Sequence, residues 1–211
     1  MRFGRYWWVI LFAVLTVDAP AQTVIFSSLT EVLNGVGDTI VLPHEVIVHR
    51  RTRNQQLLAG GADYRLMSEA RSVSRRIQSA YAIQIDTALY VNCRRLRYNR
   101  MRFGGYYAPA IRVGSSIFFS AIPLGNVADR FTSPTHTLGE LGNAITSSAV
   151  FNVRVYYEIH RESGDNISFV NHTRMRTLLQ PHGDLFDSYT ASDREEADSL
   201  TSYLLELAVR Q

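Results

Sequence analysis

The sequence predicts an α+β fold: a mostly antiparallel β-sheet with short helices and a C-terminal helix. Three observations carry this. From Ala80 onward, β-branched and aromatic residues alternate in short runs joined by tight turns, as antiparallel hairpins require. Val150 to His160 alternates most cleanly, with Phe151, Val153, Val155, Tyr157 and Ile159 on one side and Asn152, Arg154, Tyr156, Glu158 and His160 on the other. The end of the chain instead places Leu200, Tyr203, Leu204 and Leu207 at helical spacing.

The N-terminus predicts export. Met1 to Arg5 is basic, Tyr6 to Val17 is an uncharged, mostly apolar run, and Ala19-Pro20-Ala21 places small residues at a cleavage site. This is the order of a secretory signal peptide. The run is short for a membrane span, which needs about 20 residues. The alternatives are a buried N-terminal helix and an uncleaved anchor. The expected organisation is a signal peptide over 1–21 and one α+β domain over 22–211, with a secreted or periplasmic address.

Thr23 to Leu33 has no strong period, and Asn34 to Asp38 is a turn cluster. Thr39 to Leu42 and Val46 to His49 are β-branched runs split by Pro43, either one broken strand or two short ones. Arg50 to Asp63 is polar and reads as a loop. Tyr64 to Ser79 suits either a helix, with Val73 and Ile77 four apart, or an exposed strand. Tyr81 to Cys93 reads as strand, turn at Asp86-Thr87, and strand. Tyr106 to Ile122 reads as a hairpin about Gly114-Ser115. Asn126 to Thr137 reads as a loop, and Leu138 to Thr146 as a short glycine-rich helix. After Val150 to His160 the chain turns at Ser163 to Asn166 and returns through Ile167 to Val170. Thr173 is the expected cap of a helix over Met175, Leu178 and Leu179, ended by Pro181; Gly183-Asp184 opens another. Ser192 and Glu195 form a capping box for the last helix.

Composition bounds the function. With 46% hydrophobic and 19% charged residues, the chain is globular rather than disordered. One cysteine, Cys93, permits no internal disulfide. Removing residues 1–21 takes away Arg2, Arg5 and Asp18, so 22 basic and 19 acidic residues become 20 and 18, a net +2. That is too little to imply a nucleic-acid partner. The chain has no lysine, so every permanent positive charge is a guanidinium, which forks to carboxylates and stacks on rings.

Chemistry concentrates in Tyr90 to Ala110, which holds Cys93, five arginines, five aromatics and Gly104-Gly105. Cys93 beside Arg94 and Arg95 suggests a thiolate nucleophile, since positive charge favours that form. However, its strand phase with Leu89 and Val91 points it into the core. The arginines and aromatics suggest an RNA platform, but Arg102 to Tyr107 lacks the RNA-recognition order and an exported chain seldom meets RNA. The plainer reading is a charged strand end. His44 and His49 flank Glu45, yet they are five apart and β-like, unlike the helical i, i+4 pair that zinc needs. No metal and no cofactor are expected. Asn166-Ile-Ser168 and Asn171-His-Thr173 match glycosylation acceptors, a pattern common by chance.

The order of landmarks from Ala82-Ile-Gln-Ile-Asp-Thr-Ala-Leu-Tyr-Val-Asn-Cys through Tyr107-Ala-Pro-Ala-Ile-Arg-Val, Val155-Tyr-Tyr-Glu158 and Phe169-Val-Asn171 to the last helix is distinctive. Over Tyr81 to Leu207 it resembles a family of uncharacterised secreted proteins from Bacteroidetes-type Gram-negative bacteria, a domain of unknown function. The resemblance implies an envelope address and brings no catalytic residues. The expectation is a non-enzymatic exported module that binds a protein, a glycan or a small apolar ligand. Its candidate surface is Arg94, Arg97, Arg100, Arg102, Tyr106 and Tyr107. No nucleic acid is expected, and membrane contact only through the uncleaved signal. The alternative is a cysteine-dependent hydrolase using Cys93 with a histidine.

Overall fold

The computed structural model describes residues 22–40, 46–59, 61–131, 152–161, 167–192 and 197–210. The expected signal peptide, Pro43 to Glu45, the expected glycine-rich helix from Leu138, the expected turn at Ser163 to Asn166, and Glu195 lie outside them.

The described residues begin with β1 (Thr23–Phe26) and α1 (Leu29–Asn34). Local chemistry sets both ends of α1. Ser28 Oγ accepts from the Glu31 N–H at 3.2 Å, while the Glu31 carboxylate accepts from the Ser27 N–H at 2.7 Å. Gly35, at φ 68°, then turns the chain left-handed and returns its N–H to the last carbonyls. Two short strands follow, β2 (Asp38–Ile40) and β3 (Ile47–Arg50), which pair with different partners. The predicted loop after Arg50 contains α2 (Arg53–Ala59). The ambiguous Tyr64 to Ser79 stretch is both things in turn, β4 (Tyr64–Met67) and α3 (Arg71–Ser79).

Two predicted hairpins form the sheet centre. They are β5 (Ala82–Ile85) with β6 (Ala88–Asn92), and β9 (Tyr107–Val113) with β10 (Ser116–Ala121). Their turns use left-handed Asp86 (φ 54°) and Gly114 (φ 53°), as two-residue hairpin loops demand. Between them lie a 3₁₀ turn (Cys93–Arg95) and a miniature hairpin, β7 (Arg97–Tyr98) with β8 (Met101–Arg102). The sequence suggested only a charged strand end there. The predicted loop from Asn126 opens with α4 (Asn126–Phe131). Last come β11 (Val155–His160), β12 (Ile167–Phe169), α5 (His172–Leu179), α6 (Gly183–Ser192) and α7 (Ala197–Arg210). The cap of α5 is Asn171, whose Oδ1 accepts from the Arg174 N–H at 2.8 Å, and not Thr173.

The main sheet runs β12-β11-β10-β9-β6-β5-β1-β2, with β3 and β4 attached at β9. Every pairing is antiparallel. The α+β expectation holds. One face carries Phe26, Ala82, Val91, Ala108, Phe119 and Tyr157. It is covered by α1 through Val32, by the 3₁₀ turn and β7–β8 hairpin through Cys93, Leu96 and Phe103, and by α4 through Val127. Phe103 meets Phe119 and Tyr157 edge-on at 5.1 and 4.7 Å. The opposite face is covered by α3 at the β1–β5 end, through Val73 and Ile77. At the β9–β11 end it is covered by α5, α6 and α7.

This second cover corrects the reading of Val150 to His160. The strand starts only at Val155, and its supposed solvent side is buried: Tyr156 and Glu158 are 5% and 2% exposed. A buried carboxylate needs a partner. Glu158 receives Arg174 Nε and one terminal guanidinium nitrogen at 2.7 Å each, and Ser116 Oγ donates to it at 2.6 Å. Burial pushes this carboxyl up, but the Arg174 and Ser116 hydrogen bonds outweigh it and hold Glu158 below its ordinary value.

Candidate functional site

The site begins where β4 leaves the sheet. β4 pairs along its length with β3 but touches β9 at one residue pair, Tyr64 with Tyr107. Beyond Tyr64 it runs out beside α3, tied back by Ser74 Oγ donating to the Ser68 carbonyl at 2.6 Å. The opening between α3, β4 and the start of β9 is a groove of about 720 Å³. That size suits one small ligand. Ile47, Leu66, Met67 and Ile77 supply apolar lining, and Tyr106 and Tyr107 supply rings. Arg65, Glu69 and Arg94 are the charged groups of the lining. None of the three side chains is held in a hydrogen bond or ion pair among the described residues. Ser68 Oγ is buried in the wall without a hydrogen-bond partner among the described residues.

Gln78, Asn92 and Arg94 also border a second, smaller hollow of about 200 Å³. It is lined further by Ser27, Ser79 and Arg95. Asn92 joins α3 to β6 here, its Nδ2 donating to the Ala80 carbonyl at 2.9 Å and its Oδ1 accepting from the Arg94 N–H at 3.1 Å.

The predicted surface is only partly assembled. Arg94, Tyr106 and Tyr107 line the groove together. Tyr107 is not the exposed ring the sequence suggested: it is 5% exposed, and its hydroxyl donates to the Ile77 carbonyl. Burial pushes this phenol well above its ordinary value, so it stays neutral. Tyr106 sits at φ 77°, under the Arg51 guanidinium 3.8 Å from its ring centre. Arg97, Arg100 and Arg102 belong to the β7–β8 hairpin, with Arg97 directly across from Arg102 and left-handed Arg100 in the turn. All three are exposed, and none lines the groove. Sequence reasoning missed Arg65, Leu66, Met67 and Ser68, which lay in the stretch that read equally as helix or strand.

Cys93 lies on the far side of the sheet from the groove, at 0% exposure among Val91, Ala108 and Phe119. Its Sγ–H points to the Val91 carbonyl at 3.8 Å. Burial pushes the thiol far up, against the lowering hydrogen bond at Ala108. Arg94 and Arg95 are exposed and do not offset this burial. His49 is exposed on β3, and His172 Nδ1 is 2.9 Å from the Tyr189 hydroxyl. Among the described residues no three His, Cys, Asp or Glu side chains gather into a metal site.

The chain carries this sheet within one continuous stretch that a family model spans from residue 24 to residue 211. It belongs to a family of unknown function, DUF6563. Membership covers nearly all of the DUF6563 chain after β1 begins, whereas the resemblance seen in the sequence started at Tyr81. No curated protein and no solved structure matches it.

Proposed function

We propose that this DUF6563 protein is a non-enzymatic exported module that binds a small, largely apolar ligand in the α3–β4 groove. Export rests on the basic, apolar and small-residue order of residues 1–21. The same order supports a secreted or periplasmic address like that of the Bacteroidetes-type proteins the sequence resembles. The observation that carries the binding reading is the groove itself: a largely apolar concavity with unpaired charged groups in its wall. Its concave shape favours a small ligand over a protein or a glycan. The deep burial of Cys93 supports binding over the cysteine-hydrolase alternative.

The test uses the neutral dye Nile red. Saturable binding by the wild-type chain and its loss in Met67→Arg, which fills the groove with charge, are expected. Absence of saturable binding, or an unaffected variant, sinks the reading. Native Cys93 is expected to resist iodoacetamide at neutral pH until denaturant is added. Rapid labelling of the folded protein supports the hydrolase instead. Sequencing the N-terminus of protein made in a Gram-negative host is expected to give Gln22.

A further inference from the structure

The groove and the smaller hollow differ in chemistry and meet at one arginine. The groove presents Leu66, Met67 and Ile77, whereas the hollow presents Ser27, Ser79, Arg94 and Arg95 with no carboxylate among its lining residues. Arg94 borders both. Resting on the binding reading above, we propose that the ligand is a single-chain amphiphile with one anionic head, its body along the groove and its head at Arg94 and Arg95.

Charge complementarity argues for this occupant. In the groove, Arg65 and Arg94 against Glu69 leave one net positive charge, and in the hollow Arg94 and Arg95 face no acid. Neither Arg94 nor Arg95 spends its guanidinium on a partner among the described residues. Guanidinium forks match a carboxylate or sulfate bidentately. The remaining polar groups favour a single charge over a dianion. Carbonyls end α3 at this hollow, and Asn92 and Ser79 already occupy several of them, so the negative end of a helix also borders the head. A monoanion tolerates that; a dianion is repelled twice. A cationic head would meet two arginines. The concavity is sized for one molecule, so the occupant is a free amphiphile and not a bilayer surface.

Titration calorimetry with dodecanoate, dodecanol and dodecyltrimethylammonium tests the proposal. Dodecanoate is expected to bind about tenfold tighter than dodecanol, the scale of one charge-assisted contact. The cation is expected not to bind. Arg94→Gln and Arg95→Gln remove the preference for dodecanoate, and Arg95→Gln, outside the groove lining, leaves dodecanol unchanged. Arg97→Gln, on the hairpin outside both hollows, changes neither. Because Arg94 and Arg95 are exposed, both variants fold, which circular dichroism checks. Equal binding of dodecanoate and dodecanol, with no effect of either substitution, overturns the anionic head and leaves the apolar groove standing. Failure of all three probes to bind overturns the groove reading as well. Sedimentation of the protein with phosphatidylglycerol vesicles, without dodecanoate binding, overturns the free-amphiphile assignment.

Discussion

The two ends of one sheet face are finished differently. Over β9 to β11, three helices close on the strands, and Phe118, Met175, Leu179, Leu200, Leu204 and Leu207 are all at 0% exposure. Over β1, β5 and β4, nine residues of α3 do the covering with two buried side chains, Val73 and Ile77. The first end seals even a carboxylate, Glu158. The second leaves a groove, because one short helix cannot cover a sheet that also has β4 diverging from it. The lesson is that the open end is the surplus of the architecture: burial is concentrated where three helices pack together, and open space remains where one helix does the covering.

Substitutions can break this contrast. The largest effect is expected at the closed end. Phe118→Ala should cost about 3–5 kcal/mol in urea unfolding, since its ring is fully buried in the cluster under the three helices. If it costs no more than a groove substitution, the closed end is not the stable one. Next, Arg174→Met leaves the buried Glu158 carboxylate without its cation and should cost about 2–3 kcal/mol. That is below the roughly 3–5 kcal/mol for breaking a fully buried pair, because Arg174 is itself 35% exposed. The same pair predicts a pH dependence. The folded Glu158 value is depressed, so its stabilisation is complete above the unfolded value of about 4.3 and is lost as pH falls through the folded value. Stability measured from pH 7 to pH 3 should therefore fall below about pH 4.3 in the wild type. The penalty of Arg174→Met should be largest at pH 7 and shrink towards pH 4. The smallest effect belongs to the open end. Met67→Ala, on the groove wall, should change stability by less than about 1 kcal/mol while weakening Nile red binding. A loss comparable to that of Phe118→Ala would mean the groove wall is core.

Much of the sheet was legible because hairpins are local. The pairings Ala82–Val91 and Phe118–Ile111 follow from alternation and a two-residue turn, and both are present. Cys93 was likewise legible as core from its phase with Leu89 and Val91. The site was less so. Tyr106 and Arg94 stood out by residue type, but Arg97, Arg100 and Arg102 stood out equally and lie elsewhere. Residue type does not say which guanidiniums end beside the same helix. The inner role of Leu96 and Phe103 was hidden by the arginines between them, which occupy the outer side of a hairpin only two residues long on each strand.

What the sequence by itself determined is therefore short-range: the hairpins, the antiparallel α+β class, the helical C-terminus and the inward phase of Cys93. These depend on periodicity and turn chemistry within a few residues. Only the tertiary structure decided that β11 is buried on both sides, because Tyr156 and Glu158 are covered by helices that arrive later in the chain. It alone also brought Arg65 and Met67 opposite Arg94 and Tyr106 across a groove. Those contacts join residues separated by whole elements, and no local pattern encodes the covering of one element by another.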